Sequence, residues 1–471
     1  MDEKSSVSDS SLPQSSPSDP SISEEFHNWS VNASLLYDSV VSYHLEWPSL
    51  TVQCLPAGAF PDGLPKQKSL KRNKKYVEDE EEDENIMYQY VLIGTHTSEG
   101  EPNYLQMMRM SLPSSTDVVT EKIFSERKDY YGFSFGNENC RKFDIEARYS
   151  HEGEINRARY LPQDYRKIAT KSISGDVLLY SINERTLSES IEEGYVLGED
   201  LRLTGHTKEG FGLAWNPLAS GRLASTATDG FLCVWDIQMS QDSKYMKPLM
   251  KIESHSSSAN DVAWSEEKEN LLFTCGDDGK IKMWDLRLKN RFQDFLLHFP
   301  RGIDKLSFIP ASSLPINTIS PFPKNGHIVA SGGEDTTIKL WDIRQLSHFL
   351  QNLESHEKPV QSLLFSNSLD GFIISSSLDR FVNIWDIHRS GMEQSEEDQK
   401  IGPPELIFSH GGHCAPLSDI AWNPSGPLEL CITSVSEDNI LQCWQPNTAL
   451  LRSDEESMQD EKEETSSEDV E

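Results

Sequence analysis

The chain of 471 residues contains no run of 18 apolar side chains, no C-x-x-C pair and no excess of positive charge. Without a long apolar run there is no membrane-spanning helix to expect. No charged-then-apolar signal segment opens the sequence, so secretion is not expected either. The seven cysteines (54, 140, 233, 275, 414, 431 and 443) show no metal spacing and read as reduced thiols, most simply small buried hydrophobes, in an intracellular protein. Lys and Arg number 43 against 76 Asp and Glu, a formal charge of -33, whereas a nucleic-acid backbone demands a basic surface. Basic proteins are the expected partners. No P-loop, G-x-S-x-G or H-E-x-x-H occurs, so no catalytic residue, metal or cofactor is expected and the protein reads as a non-enzyme.

Part of the charge is local. Glu78 to Glu84 is an unbroken run of seven acids, and ten more lie between Ser453 and Glu471. Removing them leaves about -16, so the folded part is acidic as well. The first 20 residues, rich in Ser and Pro, and the acidic tail over 447–471 are expected to be disordered. A basic block followed by an acidic one over 64–86 reads as a solvated loop whose basic half could serve in nuclear import. Ser457, Ser466 and Ser467 stand beside acids as candidate phosphorylation sites.

What is present in abundance is a ruler. His206 to Trp235 spans 29 residues, as do His255 to Trp284, His356 to Trp385 and, with Tyr in the last place, His151 to Tyr180; His413 to Trp444 spans 31. Asp229, Asp278, Asp335, Asp379 and Asp438 each stand six residues before the Trp that marks their unit. Between these marks lie short β-branched and aromatic runs such as FGLAW, LLFTC and FVNIW, bounded by Gly, Asp, Asn or Ser, which read as strands. Units of this size cannot bury both faces alone, and their GH and WD marks at a period of roughly 40 to 60 residues predict an all-β, seven-bladed WD40 propeller. The blades are marked near Met110, Tyr180, Trp235, Trp284, Trp341, Trp385 and Trp444. The stretch 311–327 reads as an inserted loop. The repeated His and Asp are expected to form a buried hydrogen-bond network rather than a catalytic site.

Ahead of the propeller, expected over 43–446, the sequence predicts a helix over 21–42. Ser21 and Glu24 fit a capping box, and Phe26, Trp29, Ala33, Leu36, Tyr37 and Val40 make one apolar face. Such a face docks on the propeller side, for stability alone or with Leu35, off that face, also lining a groove.

Several stretches exceed a generic propeller: LLYDSVVSYHLEWPSLTVQCLP, LIGTHTSEGEPNYL, HEGEINRARYLPQ, GHTKEGFGLAWNP, PPELIFSHGGH and SVSEDNILQCW. Together they resemble the histone-binding WD40 family of retinoblastoma-associated chaperones, which are shared among chromatin assembly, acetyltransferase, deacetylase and polycomb-type complexes. The resemblance implies a nuclear adaptor, monomeric within hetero-complexes, that holds the first helix of histone H4 in a side groove. It places Leu35, Leu36 and Phe408 on the floor, Glu397 and Asp398 on the rim with Glu396 adjacent, and Pro403 and Pro404 stiffening the acidic loop over 391–405. It also implies a top-face site for the histone H3 tail, where Glu154, Asn156, Glu209 and Phe211 match. The chain departs from the pattern at Lys400 and Ile401, where acids usually stand, and at Ser409, Asn260, Pro359 and Gln361. Two rival readings remain: a ubiquitin-ligase substrate receptor, from WDLR at 284–287 and WDIR at 341–344, and an acidic scaffold for non-histone basic proteins such as ribosomal proteins.

Overall fold

The recurring Asp explains the local geometry. Asp229, Asp278, Asp335, Asp379 and Asp438 each precede a residue in the left-handed region: Gly230 (φ 77°), Gly279 (65°), Thr336 (64°), Arg380 (79°) and Asn439 (66°). Left-handed backbone after a short acceptor side chain closes a tight turn between antiparallel strands. The strand leaving each turn carries the Trp.

A computed structural model describes residues 20–56, 86–98, 100–113, 143–183, 186, 190, 195–196, 198–239, 243–287, 308–310, 312–345, 348–424 and 430–447. The two terminal tails and the charged loop expected over 64–86 lie, but for one residue each, outside this set, as do Cys140 and the serines at 457, 466 and 467.

The strands form seven sheets, lettered a to d from the inside outward. Blade 1 comprises Val52–Cys54, Ile86–Gly94, Asn103–Pro113 and Phe143–His151. Blade 2 comprises Ile155–Leu161, Asp164–Ser172, Val177–Ser181 and Leu201–Leu203, with Tyr245–Met246 added in parallel at its edge. Blade 3 holds Leu213–Trp215, Arg222–Thr226, Phe231–Asp236 and Met250–Glu253, and blade 4 holds Ala259–Trp264, Leu271–Gly276, Lys280–Asp285 and Phe308–Pro310. Blade 5 holds Ile316–Pro321, Ile328–Gly333, Ile338–Asp342 and Gln351–Leu353, and blade 6 holds Val360–Phe365, Phe372–Ser377, Val382–Asp386 and Leu406–His410. Blade 7 takes Leu417–Trp422, Ile432–Ser436 and Ile440–Pro446 from the C-terminal end and Tyr37–His44 from the N-terminal end. That last pairing closes the ring.

The core is distributed as the repeat demands. Each of seven apolar clusters among the described residues draws on two neighbouring blades, as where Leu232 and Val234 of blade 3 meet Val262 and Trp284 of blade 4. No blade has a core of its own, so the ring folds as a whole.

Two expectations are corrected. The helix runs Pro20–Leu36, not 21–42, and Tyr37–His44 is the closing strand. The β-branched pair Val40 and Val41 gains a ladder partner in Ile440–Pro446, a tertiary gain that overrides a continuing helical period. Pro20 takes the first helical position, where its missing N–H costs nothing, so Ser21 lies inside the first turn rather than capping it. The stretch 311–327 is not a simple loop, because Ile316–Pro321 is strand a of blade 5.

The marker residues meet as a buried relay. In blade 6, His356 Nδ1 lies 2.8 Å from Asp379, its Nε2 lies 2.8 Å from Ser375 Oγ, and Trp385 Nε1 donates to that hydroxyl at 2.9 Å. His255, Asp278, Thr274 and Trp284 repeat it in blade 4. Blade 7 substitutes Ser436 for the Asp contact of His413 and keeps Ser434 and Trp444. Blade 3 departs: the buried Lys171 donates to Ser225 Oγ at 3.1 Å alongside His206, and Trp235 Nε1 has no hydrogen-bond partner among the described residues.

Candidate functional site

The side of blades 6 and 7 is built around the helix. Phe26, Trp29, Ala33 and Leu36 join one apolar cluster with Tyr37, Phe408 and Trp444. Trp29 Nε1 donates to Tyr37 Oη (2.8 Å), which lies 2.7 Å from His410 Nδ1, and His410 Nε2 lies 2.9 Å from Gln442 Oε1. Both ends of the helix are tied down. Glu25 pairs with Arg380 at 2.7 Å in the turn between strands b and c of blade 6. At the other end Asn447 donates to the carbonyls of Leu36 (2.9 Å) and Leu35 (3.3 Å).

These ties fix what sits beside the acidic segment. Asn447 follows strand c of blade 7, and 387–405 follows strand c of blade 6, at the corresponding end. The last helical turn and the acidic segment therefore share one rim. On that rim Leu35 is 69% exposed, Val31 one turn earlier 57%, and Ile401 82%. Glu396, Glu397 and Asp398 are all exposed, and Ser395 Oγ donates to Asp398 Oδ2 (2.7 Å) while accepting from its backbone N–H (3.1 Å). Pro403 and Pro404 are half-buried and lead into a return that is anchored on blade 5, where Gln351 donates to the buried Glu405 at 3.0 Å. Leu36 is half-buried.

Phe408 differs from its expected place on an open floor. It is 8% exposed, edge-on to Tyr37 at 5.2 Å and stacked on Trp444 at 6.0 Å. Phe408 supports the helix from beneath, and the open apolar surface belongs to Val31, Leu35 and Ile401. Ser409 is exposed and donates to Asn383 Oδ1 at 2.8 Å. Sequence reasoning does not single out Val31 or Glu405. Val31 is the more legible of the two, since it lies four residues before Leu35.

On the face where the a strands begin, blades 2 and 3 bring Glu154, Asn156, Glu209 and Phe211 together. Glu154 lies 3.0 Å from His96 Nδ1, Asn156 donates to Glu209 Oε2 at 3.4 Å and to the Gly210 carbonyl at 3.3 Å, and the Phe211 ring is 42% exposed. Asn156 is itself buried, and Asn260 and Asn317 occupy the same bulged position in blades 4 and 5. They donate to the carbonyls of Ile316 and Val360 at 3.0 Å, so this position stitches neighbouring blades. The two W-D-x-R arginines are held by their own motifs, Arg287 by Asp285 and Arg344 by Asp342.

Comparison with known families adds an outside constraint. Residues 24–114 match the family of the histone-binding protein RBBP4 and its counterpart in the CAF1 complex. Residues 404–445 match the WD domain, G-beta repeat, and residues 223–414 match the N-terminal domain of nucleolar protein 10-like proteins. The first match contains the helix from residue 24 onward and the ring-closing strand, and the nucleolar match covers most of blades 3 to 6.

Proposed function

The chain is a divergent member of the RBBP4-like histone-binding WD40 family, and from that premise we propose that it is a histone-binding adaptor whose side groove holds the first helix of histone H4. The coarser role, a histone-binding adaptor on a propeller, follows from the family match. The finer one is carried by a single observation: Val31 and Leu35 are exposed one helical turn apart on the rim that also bears Glu396, Glu397 and Asp398. A basic amphipathic helix lays its apolar face on the first pair and its Lys and Arg against the second set. The preformed loop, anchored through Glu405, lowers the ordering cost of that encounter. The mechanism is binding and presentation within chromatin assembly or histone-modifying complexes, in the nucleus.

The test is titration of a peptide covering the first helix of H4 into the full chain at two salt concentrations, beside Leu35→Asp. Saturable binding that weakens with salt and is lost in the variant supports the groove. A folded parent that does not bind rejects it. Phe408→Asp is unsuitable, because a charge at a buried site unfolds its surroundings.

A second reading concerns the opposite rim. Phe211 exposed beside Glu209 and Glu154 suits a basic extended tail such as that of histone H3. Glu209→Ala lowering the affinity of an H3-tail peptide, without affecting the H4 peptide, separates the two.

A further inference from the structure

The seven a strands surround a central channel, and the end where they finish, opposite Glu154 and Phe211, holds a cavity of about 300 Å3. At ~30 Å3 per water this is room for roughly ten waters. Its inner end is closed by charges that cancel. Arg157 and Arg159 reach the two oxygens of Asp419 at 2.8 and 3.2 Å, and Asp261 accepts from Thr318 Oγ1 (3.2 Å) and the backbone N–H of Ile319 (3.1 Å) and Val262 (2.9 Å). Two guanidinium groups face two carboxylates, leaving no net charge there.

The walls are aromatic and fixed. Trp215, Trp264 and Trp422 line the cavity, and each indole N–H donates to the preceding blade, to the carbonyls of Arg159 (2.9 Å), Ala214 (3.0 Å) and Leu364 (3.3 Å). Against these walls the Glu266 carboxylate and the Tyr160 hydroxyl, like the amide of the exposed Asn367, have no hydrogen bond or ion pair among the described residues. Burial pushes the Glu266 carboxyl upward, and no cation among the described residues pairs with it. Glu266 is the one lining charge that nothing balances among the described residues.

We propose that this cavity binds an alkylammonium ion, with Glu266 as counter-ion and the Tyr160 hydroxyl as a further acceptor. An anion would meet an unbalanced carboxylate, and a neutral guest would leave that carboxylate desolvated and unpaired. The ammonium can arrive on a lysine side chain of a basic polypeptide or as a free amine.

Three probes, read by tryptophan fluorescence of the full chain and by calorimetry, test this. They are an end-blocked Gly-Gly-Lys-Gly-Gly peptide, its Nε-acetylated counterpart and n-butylamine. Saturable binding of the lysine peptide or the amine, at least tenfold weaker for the acetylated peptide and for Glu266→Gln, supports the site. Tighter binding of the peptide assigns it to a polypeptide; equal binding of n-butylamine assigns it to free amines. Absence of saturation by either amine, equal binding of the acetylated peptide, or undiminished binding to a Glu266→Gln protein of parental melting temperature overturns the proposal. The acetylated comparison uses the parent protein alone, so it decides the matter even if the variant does not fold.

Discussion

The imidazole of His410 lies flat on the indole of Trp444, with ring centroids 4.1 Å apart and planes 5° apart. The hydrogen bonds at the ring's edge fix its protonation. Trp29 N–H donates to Tyr37 Oη, so the Tyr37 hydroxyl donates to His410 Nδ1, and His410 Nε2–H donates to Gln442. Only neutral imidazole fits this chain, and burial holds its pKa well below the ordinary value. The relay joins the helix, the closing strand and two blades.

Stability should therefore fall with acid. An unfolded His protonates near pH 6.5, while His410 folded does not, and burial likewise holds His151, His206 and His413 down to about 4. Between these values the unfolded chain binds more protons, so stability rises with pH, by up to ~1.4 kcal/mol per pH unit for each such His. Thermal unfolding from pH 7.5 to 4.5 should show a melting temperature dropping steeply below about 6.5. His410→Phe keeps the stack but strands Tyr37 and Gln442, at a cost of about 1–3 kcal/mol. It should also flatten the acid slope.

Much of this is written in the sequence, because the side chains that set the ruler are the ones the fold cannot spare. His, Asp and Trp recur at fixed spacing since each relay satisfies buried polar groups in the same place, and the blade count follows. His410 escapes the ruler, because it stands three residues before His413, where the spacing lands, and its partners Tyr37 and Gln442 are distant in sequence. The closing strand is hidden for a related reason: its ladder partner lies some 400 residues away. The exposed acidic segment at Glu396, Glu397 and Asp398 is legible as composition. That Phe408 supports the helix rather than facing a ligand depends on the stacking of Tyr37 and Trp444, which no local pattern carries.

Lys171 offers a different pH signature. It is fully buried, burial brings its pKa down to about 7, and it occupies Ser225 Oγ where other blades place the Trp indole. Because the unfolded Lys titrates near 10.4, the unfolded state binds the extra proton between about 7 and that value, and stability from this site rises with pH across the window. Lys171→Met should raise stability at pH 7 by about 1–4 kcal/mol, the range seen when buried charges give way to apolar groups. Denaturant titrations at pH 7 and 9 should show the pH difference shrinking in the variant.

Arg380 trades backbone comfort for a tether. It takes a left-handed conformation where Gly stands in blades 3 and 4, and its guanidinium holds Glu25 of the helix. Arg380→Gly relieves strain of about 1–2 kcal/mol and releases an exposed pair contributing about 1 kcal/mol or less. The melting temperature should change little, while limited proteolysis should cut between Pro20 and Glu25 sooner than in the parent.

The rim and the floor of the proposed side groove should separate in kinetics. Glu396, Glu397 and Asp398 are exposed, and exposed charges steer encounters over a Debye length of ~8 Å at physiological salt. Apolar contacts act after the encounter, through the dissociation rate. Glu397→Lys with Asp398→Lys should slow association of the H4 helix peptide about tenfold at low salt and by less at high salt, with dissociation little changed. Ile401→Asp should instead speed dissociation, since its side chain is 82% exposed and free to meet an apolar partner. Stopped-flow measurements at two salt concentrations distinguish the two effects. If both sets of substitutions alter only association, Ile401 lies outside the contact and the apolar floor reduces to Val31 and Leu35.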